Sequence, residues 1–338
     1  MTNKLLMKAF VSFSFFLFNT FSVLATGDSL RIQKFDKHIS LACHLTQFNF
    51  DGQIKNQASR KSIEYKTATA TRLGLSFDYR WLAFELFTQI PSSENGDKGV
   101  TKNSGIYFRA NRSRYWGNLI YQNFSGFYWN NSDPLTRLQQ GRPFPLREDI
   151  KDRMLQANVF YIFSPQKFSN MAAQGENELQ LRSGGSFFAG FGFIFNRFSG
   201  DSSLIPRNQI AFFPNERAIL EFVNRSYLLY AGYAYSFILA KHFYLTGYAA
   251  PGLARFSTIN RFEENQREQI KGEWAMRLDT RIALGYNSKN YFGGILLTSF
   301  INNQDLGTGT NFSFGFQTFR IFFGRRFELS HRLGFLGL

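Results

Sequence analysis

Residues 273–286 read EWAMRLDTRIALGY. Every second residue from Trp274 is apolar or weakly polar: Trp274, Met276, Leu278, Thr280, Ile282, Leu284, Tyr286. Between them lie Glu273, Ala275, Arg277, Asp279, Arg281, Ala283 and Gly285. A strand sends successive side chains to opposite faces, so this spacing predicts a strand with one greasy face and one charged face. A soluble sandwich would turn the greasy face to a core and the charged face to bulk water. A membrane barrel would turn the greasy face to lipid and the charges to a lumen, with aromatics such as Trp274 and Tyr286 at the interfaces.

The pattern recurs. Leu73, Leu75, Phe77 and Tyr79 alternate with Arg72, Gly74, Ser76, Asp78 and Arg80, and Leu82, Phe84 and Leu86 alternate with Ala83, Glu85 and Phe87. Little sustained helical period is present. The alternation predicts strands near 39–50, 68–80, 82–90, 104–113, 115–128, 152–163, 167–178, 184–196, 226–239, 242–257, 272–287, 290–301 and 311–325. Many exceed ten residues, the length that crosses a bilayer at a tilt and about twice that of a sandwich strand. Tight turns at Arg80-Trp81, Arg112 to Arg114, Ser164 to Lys167, Ala240-Lys241 and Asn287 to Asn290 alternate with longer polar loops at 51–67, 91–103, 129–151 and 258–271. That is the short-long rhythm of a transmembrane barrel.

Thirteen strands would leave the termini on opposite sides, whereas single-chain bacterial barrels have even numbers. A hidden strand within 197–225 would make fourteen. A non-spanning 167–178 would make twelve. Both stay open, and 197–225 could also fold inward as a plug. In the last strand Phe312, Phe314 and Phe316 share one face and Phe319, Ile321 and Phe323 the other, which predicts a bulge near Gln317.

Composition agrees with a barrel. The chain is 18% aromatic with 42 Phe, yet its mean hydropathy is only −0.25. Greasy residues must therefore be interleaved with polar ones. Residues 1–25 have Lys4 and Lys8, an apolar run, and Val23-Leu24-Ala25, which predicts a cleaved signal peptide. Residues 26–338 then form one barrel domain, with a tail at 328–338, in a bacterial outer membrane. One cysteine, Cys43, excludes a disulfide scaffold. The net charge of +15 comes from basic residues scattered singly along strands. An anionic surface such as lipopolysaccharide, or an anionic solute, is therefore the expected counterpart, not nucleic acid.

Several stretches in order resemble an uncharacterised family of bacterial outer-membrane barrels, the domain of unknown function forty-four twenty-one. They are YQNFSGFYW from Tyr121, PLREDIK from Pro145, VFYIFSPQKFS from Val159, SGGSFFAG from Ser183, DSSLIP from Asp201, GYAYSF from Gly232 and LGYNS from Leu284. The resemblance implies a β-barrel envelope protein and brings no activity with it. It departs at the end: Phe327 would be the closing aromatic, but Glu328 to Leu338 follow.

Chemistry is sparse. His38 and His44 share a strand face six residues apart, too far for one metal unaided. His242 falls at a tight turn, and no partner is visible for His44, placed near an external strand end. No phosphate loop or paired-Cys motif occurs, so no catalytic residue, metal or cofactor is expected. YQNFSGFYW reads as a strand entering an outer aromatic girdle at Phe127, Tyr128 and Trp129. The informative set is the charged face: Arg72, Asp78, Arg80, Glu85, Arg109, Glu273, Arg277, Asp279 and Arg281. An Arg or Lys facing lipid at mid-depth costs about 2–4 kcal/mol, so these point inward. They would line a narrow porin-like channel with weak anion preference, or pair into a network that fills a structural barrel. The alternatives are a lipid-modifying membrane enzyme and a binding protein acting through its external loops. Membrane lipid, lipopolysaccharide and the barrel-assembly machinery are the expected partners.

Overall fold

A computed structural model describes residues 31–90, 96–134, 136–137, 141, 143–263, 266–306 and 309–330. The segment 1–25 expected to be a signal peptide, His331 and most of the tail lie outside the described residues. Twelve strands make the wall: β1 (His38–Asn56), β2 (Ala70–Tyr79), β3 (Leu82–Gln89), β4 (Lys102–Asn111), β5 (Tyr115–Trp129) and β6 (Leu146–Ile162), then β7 (Gly184–Ser199), β8 (Ile219–Leu239), β9 (Phe243–Phe262), β10 (Arg267–Asn287), β11 (Tyr291–Asp305) and β12 (Thr310–Glu328). Each pairs antiparallel with the next. β12 pairs with β1 from Thr310↔Asn56 to Glu328↔His38, which closes the barrel. Above β2–β4 the wall is completed by a short strand, Ser62–Lys66, between the top of β1 and the top of β5.

The exterior of the wall is apolar. On β10 the large apolar residues Trp274, Met276, Leu278, Ile282, Leu284 and Tyr286 are 37–76% exposed, while Ala275, Arg277, Arg281 and Ala283 are buried. The same holds for Leu73, Leu75, Leu86, Ile106, Val159, Phe191 and Leu229 around the wall. So large and continuous an apolar exterior suits only lipid. The chain is a transmembrane β-barrel, and the count is twelve. The residues 167–178 do not span. They belong to an insert, 163–183, that folds into the barrel from the turn-rich end. There a 3-10 turn (Ala172–Gln174) is followed by a short strand (Glu178–Gln180) that pairs with Ile32–Lys34. Phe168, Met171, Ala172 and Leu179 are buried in it. Its alternation imitated a wall strand because it too has one face on a core.

Parity is thereby restored without a hidden strand in 197–225. β7 runs on to Ser199 and β8 starts at Ile219. Between them 200–218 crosses the opposite mouth, with a 3-10 turn at Arg207–Phe212. Its Leu204, Ile205 and Phe213 pack on Phe50, Phe198, Phe222 and Phe312 inside the barrel. The loop is a cap, and the chain plugs the barrel from both ends with different segments.

Two local expectations are corrected. Phe127, Tyr128 and Trp129 are buried and do not enter a girdle. A register shift lies between Ser125 and Phe127, where Gly126 takes φ 84°, a backbone that glycine alone adopts at little cost. It turns Phe127 and Trp129 into the interior cluster, while Tyr128 is buried on the other side against Phe144. In β12, by contrast, no register shift occurs against either neighbour. Phe312, Phe314 and Phe316 are buried while Ile321 and Phe323 are exposed. The change of greasy face is real: at the capped end the lumen itself is apolar. Phe50 sits at its centre with the rings of Phe124, Phe127, Phe198 and Phe314 at 5.8–6.3 Å. Phe50→Ala is expected to lower stability by about 3–5 kcal/mol, read from the urea midpoint of the protein refolded in lipid vesicles.

Candidate functional site

Below the aromatic core lies a polar layer. Its hub is Glu85, on β3. Arg320 of β12 grips it with two parallel bonds of 2.7 and 2.8 Å, the geometry that guanidinium and carboxylate favour. Arg109 of β4 approaches the same carboxylate at 3.2 Å. Arg109 also meets Glu176 of the insert at 3.0 Å and Asp78 of β2 at 3.5 Å. Glu176 accepts a further bond from Asn111 at 2.6 Å. The network therefore staples four wall strands to the inserted segment. Burial holds the Glu176 carboxyl above its ordinary range, with Arg109 pulling the other way.

The remaining arginines are held differently. Arg72 lies between the rings of Phe48 and Phe87, 4.1 Å from each centroid, and donates to Gln122 at 2.9 Å. Arg277 packs 3.9 Å over Phe300 and bonds to Asp279 and Gln156. Arg281 lies over the Tyr248 ring and donates to Asn170 of the insert at 3.3 Å, while its Nε has no partner.

Seven of the nine residues expected in the lumen are thus there: Arg72, Asp78, Glu85, Arg109, Arg277, Asp279 and Arg281. The other two are not. Arg80 sits in the Arg80-Trp81 turn with φ 55°, at the edge of the wall. Glu273 lies next to a register shift between Phe256 and Ser257 and is exposed near the far end of β10. Alternation alone could reject neither, since a turn and a bulge both end it. Two members were missed. Arg320 was hidden by the expected bulge at Gln317, and Glu176 by the reading of 167–178 as a wall strand. With both exchanges the layer holds five arginines against four carboxylates, the same small positive excess.

His44 is buried in this layer, not near an external strand end. Its Nδ1 is 3.2 Å from the Thr46 hydroxyl and its Nε2 3.7 Å from Glu85. Hydroxyl, imidazole and carboxylate thus stand in the order of a nucleophilic triad. The geometry argues for packing instead. A separation of 3.7 Å is no hydrogen bond, and Glu85 and Thr46 both accept from Arg320. The ring lies flat over Gly74, where an added Cβ would come within 2.2 Å of it. His38 is buried near the other end of β1, 4.0 Å from Glu328. His242 contacts Asn287 and Tyr286 at its turn.

A second lock holds the cap. Arg147 and Asp149 of β6 form a two-bond pair at 2.8 Å. Asp149 accepts from the backbone N–H of Asp201 and Ser202, and Arg147 donates to the carbonyls of Ser202 and Ser203. Tyr65 donates to the carbonyl of Leu204 at 2.8 Å. The stretches PLREDIK and DSSLIP, apart in sequence, meet here.

Residues 26–327 match the family described as Domain of unknown function (DUF4421), and the chain belongs to that family. No curated protein matches it. Among solved structures it is similar to the outer membrane protease OmpT from Escherichia coli, at 8% identity and TM-score 0.40 over 87% of this chain and 98% of that one. It is also similar to the beta domain of the Bordetella autotransporter BrkA, at 11% and 0.36 over 85% and 99%. A third is the P. putida toluene transporter TodX, at 8% and 0.28 over 87% and 91%. Likeness this distant says nothing of what the chain does.

Glu85→Gln leaves Arg109 and Arg320 facing a neutral partner in a buried layer. The expected loss is about 3–5 kcal/mol of stability. Adding Arg320→Met should recover part of it, so that the two changes are non-additive in a double-mutant cycle of urea midpoints. Gly74→Ala should cost about 1–3 kcal/mol by displacing the His44 ring, and His44→Ala in the same chain should relieve that cost.

Proposed function

For this member of the DUF4421 family we propose a closed, non-catalytic outer-membrane barrel, one whose lumen is a packed core and not a pore. The observation that carries it is double occlusion. The mouth under 200–218 is filled by the Phe50 cluster, and the other end by the insert 163–183. Between them remains a cavity of about 90 Å3, lined by Glu85, Tyr107, Gln156, Tyr248, Asp279 and Arg281 among others. That is room for a few waters, not a conduction path. The pairing of Glu85, Asp78, Glu176 and Asp279 with arginines supports the same reading, since charges spent on one another cannot select ions. The twelve-strand wall with its apolar exterior supports an outer-membrane location, and the basic excess suits an anionic leaflet.

The test is planar-bilayer recording of the detergent-folded mature protein. The expected record is a folded barrel, checked by heat-dependent gel mobility, with no steady conductance. Stable anion-selective steps that shift on Arg277→Glu would replace this reading with a channel.

A further inference from the structure

Toward the loop-rich end, the cations on the outer face of the wall are gathered on one side. Lys151 and Arg153 of β6, Arg197 of β7, Arg225 of β8 and Arg255 of β9 take outward positions there, since their neighbours Asp152, Asn196, Asn224 and Ala254 are buried inside. Arg153 and Arg197 are directly opposed across the β6–β7 ladder. Arg225 lies diagonal to Arg197, whose own opposite is Val223, and Arg255 lies diagonal to Arg225, whose opposite is Ser257. The row crosses three strand spacings, about 14 Å. On the other half of the same rim the outward positions belong to Asn303 and Asp305 of β11, Ser313 of β12 and Asn49, Asp51 and Gln53 of β1. Cations that only reach from lipid toward water would be spread round the barrel.

Like charges directly opposed on a sheet destabilise it unless a counter-charge joins them. The chain supplies little. Glu221 accepts from Arg197 at 2.9 Å, lies 3.6 Å from Arg261 and is itself buried. Asp149, two residues above Lys151 on β6, is closed by Arg147 and the cap. Glu273 is exposed beside Trp274 at the β10 edge, and Arg255 reaches over the Trp274 ring at 5.8 Å. Among the described residues the side chains of Lys151, Arg153 and Arg225 have no hydrogen bond or ion pair. Below the row, toward mid-membrane, the same strands turn apolar: Val159, Phe191, Tyr227, Leu229 and Leu253 are 46–62% exposed. A ligand that suits both surfaces carries anionic groups level with the arginines and acyl chains beneath them.

We infer that the outer face of β6–β9 is a binding site for a phosphorylated glycolipid of the outer leaflet, lipopolysaccharide in chemical class. More than one phosphate lies along Arg153, Arg197, Arg225 and Arg255, and the acyl chains cover the apolar wall below. Guanidinium forks match phosphate oxygens, and a head group with a single phosphate would leave most of the row without a counter-charge. The end with the longer loops is the external one in such barrels, which selects the leaflet. The site rests on the outer-membrane reading and is independent of whether the lumen conducts.

The experiment adds bisphosphorylated lipid A to the delipidated, folded protein in detergent and reads retained lipid by native mass spectrometry. Stoichiometric retention is expected. Arg153→Gln with Arg225→Gln should weaken it about tenfold, the two Lys replacements should restore part of it, and Lys55→Gln with Lys66→Gln, on the other half of the rim, should leave it unchanged. Equal retention of dephosphorylated lipid A, or equal loss in the Lys55 and Lys66 pair, would reduce the binding to annular lipid and overturn the site. Equal retention of cardiolipin would overturn the glycolipid, and displacement by inorganic pyrophosphate at equal concentration would make the ligand a soluble polyphosphate and overturn the membrane source. Should the double variant not fold, the thermal midpoint of Arg153→Gln decides. It should hold or rise in phosphatidylcholine vesicles, where the opposition to Arg197 is relieved, and fall below wild type once lipid A is added. An equal fall in both vesicles would make Arg153 structural and overturn its role. Density fractionation of cell envelopes tests the location separately: protein in the outer-membrane band that fails to retain lipid A loses the site and keeps the location.

Discussion

In hydrocarbon a backbone N–H or C=O without a partner costs several kcal/mol, and no water can stand in for it. Everything in this protein follows from meeting that demand with strands. The ladder from Thr310↔Asn56 to Glu328↔His38 removes the two edges an open sheet would leave. Twelve strands closed on themselves enclose a lumen that must be filled with something. Here the chain fills it with its own side chains.

The filling is layered by chemistry. Under the cap, Phe50, Phe124, Phe198, Phe222, Phe312 and Phe314 form an interior as apolar as a soluble core. At mid-depth the wall turns to arginine and carboxylate. A buried ion pair repays its desolvation only when the geometry is good and the remaining groups are bonded. The two-bond contact of Arg320 with Glu85, and the aromatic faces under Arg72, Arg277 and Arg281, meet that condition for most of the layer. Toward the insert, Arg326 completes the pattern between Phe35 and Phe292, donating to the Glu176 carbonyl and Asn287. Arginine serves here because its guanidinium can stack and bond at the same time.

Much of this was legible in alternation. The period of two located all twelve wall strands, but it ended several of them five to seven residues early, where the stretches read as polar loops at 51–67 and 258–271 continue as strand, and it supplied β12 with a bulge it does not have. It also assigned Arg72, Asp78, Glu85, Arg109, Arg277, Asp279 and Arg281 to the lumen, because lipid tolerates none of them. It failed where periodicity carries two meanings. Residues 167–178 alternate because they line a core, yet that core lies inside the barrel. Phe127 and Trp129 point inward because Gly126 resets the register. Glu85 could be placed on the inner face, but its grip by Arg320 joins residues 235 positions apart.

The sequence by itself determined a membrane barrel with charges inside. That result depends only on which side of a strand each residue occupies, a local property with a fixed period. Tertiary structure alone decided which segments fold into the lumen and which arginines meet which carboxylates. Those outcomes depend on which strands meet across the barrel and on two loops folding into it, and chain closure over long separations sets both.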